Sequence, residues 1–294
     1  MQLTLPECRS SRFRPITPPA GQLLKWIGNK QRFAAQIVSN FPKTFGTYYE
    51  PFLGSGAVLA TLAPEKAVGS DGFKPLMEIW QSLKTDPSLL KKWYADRWKK
   101  METGNRVEMY EQIKASYNAN PNGADLLFLC RACYGGVVRF RLFDGYMSTP
   151  CGIHKPIPPQ SFARRVDEWY ERTKGTRFLL FSYEEAMGRA KKGDLVYCDP
   201  PYAHSQSILY KAQTFELDHL FEVIDKSKSR SVRVALSIDG LKKSGDVNCE
   251  IRVPHGLFKR EIFINCGRSM LRRFQMEGKS LEMEVVADRL LLTW

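Results

Sequence analysis

The amino-acid sequence predicts an α/β protein with a doubly wound sheet that a long, mainly helical segment interrupts. Short apolar strand signals alternate with helical spacings near residue 50 and again after residue 177, which is the pattern of such a sheet. Between these two regions, residues 75–177 carry Trp, Tyr, Lys and Arg at helical spacings. An insert of about a hundred residues is large enough to form a subdomain of its own.

The N-terminal region contains an arm and the first elements of the sheet. Residues 1–22 are rich in Pro, Ser and Arg and are expected to form an arm rather than a packed element. A helix is expected after Lys30, and "TYYEPFLGSGAVLATLA" then predicts a strand, a glycine-bearing turn and a second helix. The next strand signal ends at Asp71. This order is the βαβ opening of a doubly wound sheet.

The remaining strand signals follow the insert. They are "RFLLFSY", "DLVYCDPPY", "SVRVALSID", "KREIFINC" and "DRLLLTW". We therefore assign residues 23–74 and 178–294 to one sheet domain and residues 75–177 to the insert.

Charge and composition restrict the classes of partner and compartment. Lys and Arg number 44 against 31 Asp and Glu, which gives a formal net charge of +13 and a pI near 9.4. Such a charge suits a partner with many phosphates, although charge alone does not separate nucleic acid from a membrane surface. No apolar run approaches the roughly 18 residues of a membrane span, and the seven cysteines are scattered and odd in number. We expect a cytoplasmic protein without a membrane partner.

The stretch "EPFLGSG", Glu50 to Gly56, predicts a strand followed by a tight Gly-x-Gly turn into a helix. Glycine lets a ligand approach the backbone, but the third glycine of a dinucleotide site and the Gly-Lys-Ser/Thr of a phosphate loop are both missing. Asp71 follows at the end of the next strand, where a carboxylate can accept both hydroxyls of a ribose. A nucleoside without a pyrophosphate is the best candidate ligand, although the turn by itself could simply connect strand and helix.

The stretch "DPPY", residues 199–202, places acceptors and an aromatic ring at the end of a buried strand. The prolines have no N–H, so neighbouring carbonyls stay available beside the Asp199 carboxylate, and Tyr202 adds a flat face. Acceptors that bind both hydrogens of an aromatic amine favour a pyramidal nitrogen and release its lone pair. The tetrapeptide therefore predicts a receptor for an amino group on a planar heterocycle, with a strand-ending turn as the alternative.

These motifs together resemble a known family. "KWIGNK", "EPFLGSG", Asp71 and "DPPY" occur in the order found in Dam-type, D12 class adenine-N6 DNA methyltransferases of the α group, with a basic insert between the last two. The resemblance runs from about residue 23 to the C-terminus. It implies a class I, Rossmann-like methyltransferase sheet, S-adenosylmethionine as cofactor, and a target-recognition role for the insert in a prokaryotic or phage-encoded enzyme.

The resemblance also implies which residues form the site. Asp71 would hold the cofactor ribose, while Asp199 and the carbonyl of Pro200 would bind the target amine, next to Pro201. Tyr202 would stack on a flipped base, since a paired base cannot present its amine to an in-line methyl donor. The positions implied to contact the cofactor are Lys25, Trp26, Gly28, Lys30, Pro51, Phe52, Gly54, Ser55, Gly56, Asp71, Phe178, Leu179 and Asp199.

The insert is expected to contact double-stranded DNA. In "CYGGVVRFRLFDGYMSTPCG" the two arginines Arg139 and Arg141 alternate with Phe140, as in a hairpin with both on one face. Arginine is the usual bidentate partner of guanine in the major groove, although phosphate contact is equally compatible with the pattern. Arg131 and Lys155 are further candidate DNA contacts. This chain also has Phe73 where the family often has an Asx-type residue two positions after the ribose acid.

The sequence thus predicts a site-specific adenine-N6 DNA methyltransferase, paired with a restriction endonuclease or acting as an orphan or phage enzyme. A cytosine-N4 enzyme is the nearest alternative, but that chemistry more often has Ser in place of Asp199. A non-catalytic DNA-binding regulator and an RNA or small-molecule methyltransferase are further alternatives. No metal is predicted, because Cys130-x-x-Cys133 lacks a second pair, and His204 is interpreted as an ordinary loop residue.

Overall fold

The computed structural model describes residues 16–141, 143–201, 215–239, 251–267 and 286–294. Most of the predicted arm, Tyr202 and His204 lie outside these described residues. Within them, seven strands form one sheet. They are β1 (Tyr48–Glu50), β2 (Ala67–Ser70), β3 (Thr176–Leu179), β4 (Leu195–Cys198), β5 (Arg233–Asp239), β6 (Arg260–Gly267) and β7 (Val286–Leu292).

The sheet has the order β3-β2-β1-β4-β5-β7-β6. The first five strands of the chain are mutually parallel, and β7 runs antiparallel between β5 and β6. The chain builds outward from β1 through β2 to β3 and then returns to add β4 on the other side. The order therefore reverses between β1 and β4, where parallel sheets of this kind bind their ligands.

Both faces of the sheet are buried, as the prediction of a doubly wound α/β fold requires. Alternating residues of a strand point to opposite faces, so Tyr48 and Tyr197 belong to one hydrophobic cluster and Tyr49 and Val196 to another. The predicted α/β sheet is confirmed. The helices are α1 (Ala34–Val38), α2 (Ala57–Leu62), α3 (Lys74–Thr85), α4 (Pro87–Thr103), α5 (Arg106–Ala119), α6 (Gly123–Ala132), α7 (Pro159–Arg172), α8 (Tyr183–Arg189) and α9 (Leu217–Ser229).

The helices α3 to α7 lie in sequence between β2 and β3, as expected for the insert. Trp80 of α3 stacks on Phe178 of β3 with ring centroids 5.4 Å apart, and it also contacts Trp169 of α7 at 5.7 Å. The first and last helices of this segment thus share the core of the sheet. The domain boundaries proposed from the sequence stay a prediction.

The described residues 133–141 and 143–152 form an antiparallel hairpin between α6 and α7, which we call the 133–152 hairpin. Its strands are joined by backbone hydrogen bonds from Arg141 N to Tyr146 O and from Ser148 N to Arg139 O, both 2.9 Å long. Phe140 pairs with Met147 across the hairpin and is buried. The expected alternation of a buried ring between two more exposed arginines is therefore present.

The described end of the N-terminal arm is packed against α7. Arg172 Nη1 donates to Thr17 O at 2.6 Å, Trp169 Nε1 to Gly21 O at 2.8 Å, and Arg165 Nη1 to Gln22 O at 2.9 Å. These side chains of α7 bind backbone carbonyls of a segment that forms neither a strand nor a helix. Across the described part of the chain, no helix combines the length and apolarity that a membrane crossing needs.

Candidate active site

A cavity of about 510 Å³ lies where β1, β2 and β4 end. Its wall includes three segments that each follow one of these strands and the loop before α1. Residues after β3, residues at the start of α9 and Phe140 complete it. Because the carboxyl ends of parallel strands share one edge of a sheet, motifs far apart in sequence meet there. The predicted site residues that line the cavity are Trp26, Gly28, Lys30, Pro51, Phe52, Gly54, Ser55, Asp71, Asp199 and Pro201.

The turn after β1 requires glycine at two positions. Gly54 and Gly56 have φ angles of +45° and +61°, in the left-handed region that favours glycine. A Cβ on Gly56 would come within 2.8 Å of the Trp80 ring, and one on Gly54 within 3.2 Å of Trp26. Gly56 does not line the cavity but is the N-cap residue that precedes α2, so its contribution is to the shape of the turn.

Asp71 fastens this turn to the end of β2. Its Oδ2 accepts a hydrogen bond from Gly54 N at 3.1 Å, and its Oδ1 accepts one from Phe73 N at 3.0 Å. Burial raises the pKa of Asp71 to about 6, while the backbone donors of Gly54 and Phe73 act in the opposite direction. The carboxylate therefore stays largely ionised at neutral pH and is held at a fixed angle on the cavity wall.

Asp199 is held by a buried lysine. The Lys30 ammonium lies 2.9 Å from Asp199 Oδ1 and 3.5 Å from Asp288 Oδ2, and it donates to Gly28 O at 3.3 Å. Lys30 is only 4% exposed, so this charge sits in surroundings that strengthen its ion pairs. The sequence placed Lys30 and Asp199 in the site but missed Asp288. A carboxylate in the largely apolar β7, next to Arg289, was the available signal.

Glu50 is a second buried carboxyl on the cavity wall. Tyr48 Oη donates to Glu50 Oε2 at 2.6 Å. Burial raises the pKa of Glu50 to about 8, the Tyr48 hydrogen bond opposes this shift, and the nearby Asp199 charge adds to it. Glu50 is therefore mostly protonated at neutral pH. It was part of a quoted motif but was not predicted as a site residue.

Aromatic rings form much of the remaining wall. Phe52 stacks on Tyr183 with centroids 5.1 Å apart, and Tyr183 Oη lies 2.7 Å from His219 Nδ1. Trp26 and Phe73 lie 6.3 Å apart on the same cavity. Flat apolar faces suit a planar heterocycle, and they attract a cation. The sequence did not single out Tyr183 or His219.

Some predicted cofactor positions lie elsewhere. Phe178 faces the core against Trp80, and neither it nor Leu179 lines the cavity. The chain reaches the cavity a few residues after β3, where Ser182 and Tyr183 line the wall, and a cofactor contact of Phe178 and Leu179 stays a prediction. Lys25 and Pro200 do not line it either, although Pro200 directly follows Asp199 and is buried.

Two candidate DNA contacts are occupied within the protein. Arg131 Nη1 donates to the carbonyls of Gln22 and Leu23 at 2.9 and 3.0 Å, so its guanidinium holds the N-terminal segment. Lys155 pairs with Glu102 at 3.3 Å on the surface. Sequence reasoning could not find these partners, because each is far away along the chain.

The two hairpin arginines differ in their surroundings. Arg141 makes a two-pronged contact with Asp144, at 3.1 and 2.5 Å, and its guanidinium lies 4.2 Å from the centre of the Tyr146 ring. Arg139 lines a smaller cavity of about 190 Å³ together with Tyr134 and Pro150. Arg139 thus borders a concave surface, whereas Arg141 is paired on an exposed one.

The cysteine pair is buried in the insert. Burial raises the pKa of the Cys130 thiol to about 11, so the thiol stays protonated at neutral pH. Among the residues that the structure describes, no three His, Cys, Asp or Glu side chains gather as metal ligands do.

The fold and the cavity together define a class of protein. A seven-stranded α/β sheet with an antiparallel β7, and a cavity where the strand order reverses, are consistent with a methyltransferase fold. A family model described as D12 class N6 adenine-specific DNA methyltransferase matches residues 26–252. The match spans most of the chain, and the chain belongs to this family, which confirms the resemblance found in its motifs.

Curated relatives agree with this assignment. The chain is 27% identical over 231 residues to a DNA adenine methylase of Vibrio cholerae, and 29% identical over 228 residues to one of Salmonella typhi. Each alignment covers 73% of this chain and 79% of the relative. The Type II methyltransferase M1.LlaDCHI of Lactococcus lactis subsp. cremoris is 25% identical over 192 residues, with 60% of this chain and 64% of that protein covered.

Proposed function

We propose that this protein transfers a methyl group from S-adenosylmethionine to the N6 amine of a flipped adenine at a specific sequence in duplex DNA. One observation carries the proposal. Asp71 and Asp199, which suit a ribose and an aromatic amine, line the same aromatic-walled cavity. A cavity with both acceptors can hold a nucleoside methyl donor beside a base, so that donor and acceptor react within one site.

The residues present fit this cofactor. The oriented Asp71 carboxylate suits the two hydroxyls of a ribose, and Tyr183 and Phe52 offer flat faces to an adenine. Trp26 and Phe52 also suit a cation, and the cofactor is a sulfonium that supplies an activated methyl group. Glu50 is largely protonated, so it adds a hydrogen-bond donor to this wall without a further full negative charge beside Asp71 and Asp199.

Asp199 is the proposed acceptor for the target amine, together with the Pro200 carbonyl. Lys30 fixes the Asp199 carboxylate at 2.9 Å, so the acceptor is positioned before the base arrives. The amine lone pair would then form the bond to the methyl carbon in line, as the bond from that carbon to sulfur breaks. The sulfur would leave with the electron pair as the neutral thioether of S-adenosylhomocysteine, and one amine proton would pass to Asp199 or to solvent. Holding the reactants in that geometry is worth up to roughly 7–11 kcal/mol. Tyr202 remains the proposed stacking partner of the base.

The insert, residues 75–177, is the proposed target-recognition region. Arg139 and Arg141 of the 133–152 hairpin are its proposed base or phosphate contacts, and the net charge of +13 favours binding to the DNA backbone. Base flipping costs a few kcal/mol, which such contacts must offset. Arg141 would have to exchange Asp144 for DNA, and Arg131 is no longer proposed as a contact because it holds Gln22 and Leu23.

The biological setting is also a proposal. The Lactococcus relative is a Type II methyltransferase, which supports a modification enzyme with a cognate restriction endonuclease that need not touch it. The name of the relatives called DNA adenine methylase mentions no such partner, and an enzyme that acts without one is the alternative proposal. In either setting the protein would act in the cytoplasm of a bacterial cell.

Product analysis tests the proposed reaction. The protein is incubated with unmethylated genomic DNA and methyl-labelled S-adenosylmethionine, and the digested nucleosides are identified by mass. We expect N6-methyladenine at one short sequence, which sequencing of the same DNA would give. N4-methylcytosine would contradict the adenine assignment, and cofactor binding without labelled DNA would point to an RNA or small-molecule substrate or to a silent regulator.

A further inference from the structure

Phe140 belongs both to the DNA-facing hairpin and to the cavity. Its neighbours in sequence are Arg139 and Arg141, yet its own ring is only 6% exposed and lines the 510 Å³ cavity. It meets Phe73 edge to face, with centroids 5.7 Å apart and an angle of 74° between the rings. The ring is therefore a direct physical connection between the proposed cofactor site and the proposed DNA contacts.

Phe73 in turn is tied to the proposed ribose acid. Its backbone N–H donates to Asp71 Oδ1 at 3.0 Å, and its ring also lines the cavity. A ligand on Asp71 would have both rings within its cavity.

The two strands of the hairpin are anchored in different ways. The strand of Met147 is fixed to α5, because Asn118 Oδ1 accepts from Met147 N at 2.7 Å and Tyr110 Oη donates to Thr149 O at 2.8 Å. The strand with the arginines is joined to this strand by hydrogen bonds, such as the one from Arg139 N to Thr149 Oγ1 at 2.8 Å, and Phe140 also packs on Tyr117 of α5. Its contact with the cavity wall is the one between Phe140 and Phe73, so the packing of that wall also bears on the position of this strand.

We propose that Phe140 is a positioning residue that couples cofactor occupancy to DNA recognition, through its contact with Phe73. A ligand shifts an equilibrium only by its differential affinity for the two states. A bound cofactor that packs on Phe140 favours the docked strand, and so favours the placement of Arg139 and Arg141 that binds the target sequence. The inference rests on the proposed function, since it needs a cofactor in this cavity and DNA on this hairpin.

The coupling can be measured in two directions, because the effect of the cofactor on DNA affinity equals the effect of DNA on cofactor affinity. We expect S-adenosylhomocysteine, the demethylated cofactor, to raise the affinity for a duplex with the target sequence by about tenfold, within the usual range of coupling. The same duplex must raise the affinity for S-adenosylhomocysteine by an equal factor. Fluorescence anisotropy gives the first factor and calorimetry the second. Neither measurement depends on turnover.

Three variants locate the coupling. Phe140→Leu and Phe73→Leu keep the cavity wall apolar but remove the ring contact, so each is expected to reduce the coupling to less than about twofold. Phe143→Ala is the matched control, because Phe143 is an aromatic residue of the same hairpin that is 83% exposed and does not line the cavity. It is expected to change DNA affinity equally with and without the cofactor, leaving the coupling intact.

The outcomes separate this inference from the proposed function. A wild-type protein that binds neither cofactor nor DNA contradicts the proposed function. A wild-type protein that binds both without coupling overturns the inference alone, and so does full coupling in folded Phe140→Leu. Equal loss of coupling in Phe143→Ala would also overturn it, because the cavity contact would then be irrelevant.

Discussion

The cavity and the 133–152 hairpin both contain an ion pair, but the pair in the cavity is buried and the pair in the hairpin is more exposed. In the cavity, Lys30 and Asp199 form a buried pair, and Asp71 is fixed by two backbone N–H groups. In the hairpin, Arg141 and Asp144 form a more exposed pair, which the proposed DNA contact would have to replace. The buried charges are arranged in advance for one geometry, whereas the exposed ones stay exchangeable. Chemistry benefits from the first arrangement and sequence recognition from the second.

This contrast predicts the largest effect at Asp199. Asp199→Asn removes the charged acceptor and leaves Lys30 beside a neutral amide, so we expect methylation to fall at least about 100-fold. DNA affinity should change little, because the hairpin is untouched. Single-turnover methylation and anisotropy measure the two quantities. Substantial residual methylation would show that Asp199 is not the acceptor for the amine.

The turn under the cavity should be intolerant of a side chain. Gly56→Ala adds a Cβ at φ +61°, where it meets the Trp80 ring, and we expect a loss of about 1–3 kcal/mol of unfolding free energy. Gly188→Ala is the control, since a Cβ there meets nothing within 4 Å and the residue lies in α8. That variant should gain about 0.5–1 kcal/mol. Denaturant unfolding of both variants measures these changes in unfolding free energy. Equal stabilities of the two variants would contradict the steric requirement for glycine at position 56.

The hairpin should show a sequence-dependent effect instead. Arg139→Ala is expected to cost about 1–3 kcal/mol of binding free energy and to relax one position of the target, if the arginine contacts a base. Competition binding with duplexes substituted one base pair at a time measures this. A uniform loss across all duplexes would assign Arg139 to a phosphate, and no loss at all would remove it from the interface.

Glu50 gives the smallest and most specific prediction, a change in pH dependence. The pKa of Glu50 is about 8 in the folded state, above the usual value of 4.5. Between these two pH values the folded protein therefore keeps a proton on Glu50 that the unfolded chain releases. This contribution to stability is present below pH 4.5 and is lost as pH rises through about 8. Glu50→Gln should therefore become more stable relative to wild type as pH rises over that range. Unfolding curves at several pH values test this, and a constant difference would contradict it.

Local motifs were sufficient to predict part of the site. Asp71 and Asp199 could be found because each stands directly after a strand signal, and Gly54 because it belongs to a Gly-x-Gly turn that follows one. The ends of parallel strands meet at one edge of a sheet. The α/β sheet and the alternation of Arg139, Phe140 and Arg141 could be predicted for the same reason, since both follow from short periodic patterns.

The remaining features depend on contacts between distant segments. Asp288 reaches Lys30 only because β7 inserts beside β5, and no local pattern indicates that pairing. Phe178 was assigned to the cofactor through the family resemblance, and sequence reasoning could not show that its ring packs on Trp80 of α3. Arg131 was predicted to contact DNA. Sequence reasoning could not identify its partners within the protein, because the carbonyls that it binds are more than a hundred residues away.

The central claim is that the cavity at the ends of β1, β2 and β4 holds S-adenosylmethionine, with Asp71 on its ribose. Calorimetric titration of the protein and of Asp71→Asn with S-adenosylmethionine tests it most directly. We expect one binding site in the wild-type protein and an affinity roughly 10-fold to 100-fold lower in the variant, since hydrogen bonds to a charged acceptor are lost. A wild-type protein that does not bind this cofactor, or equal affinities in the two proteins, would contradict the account.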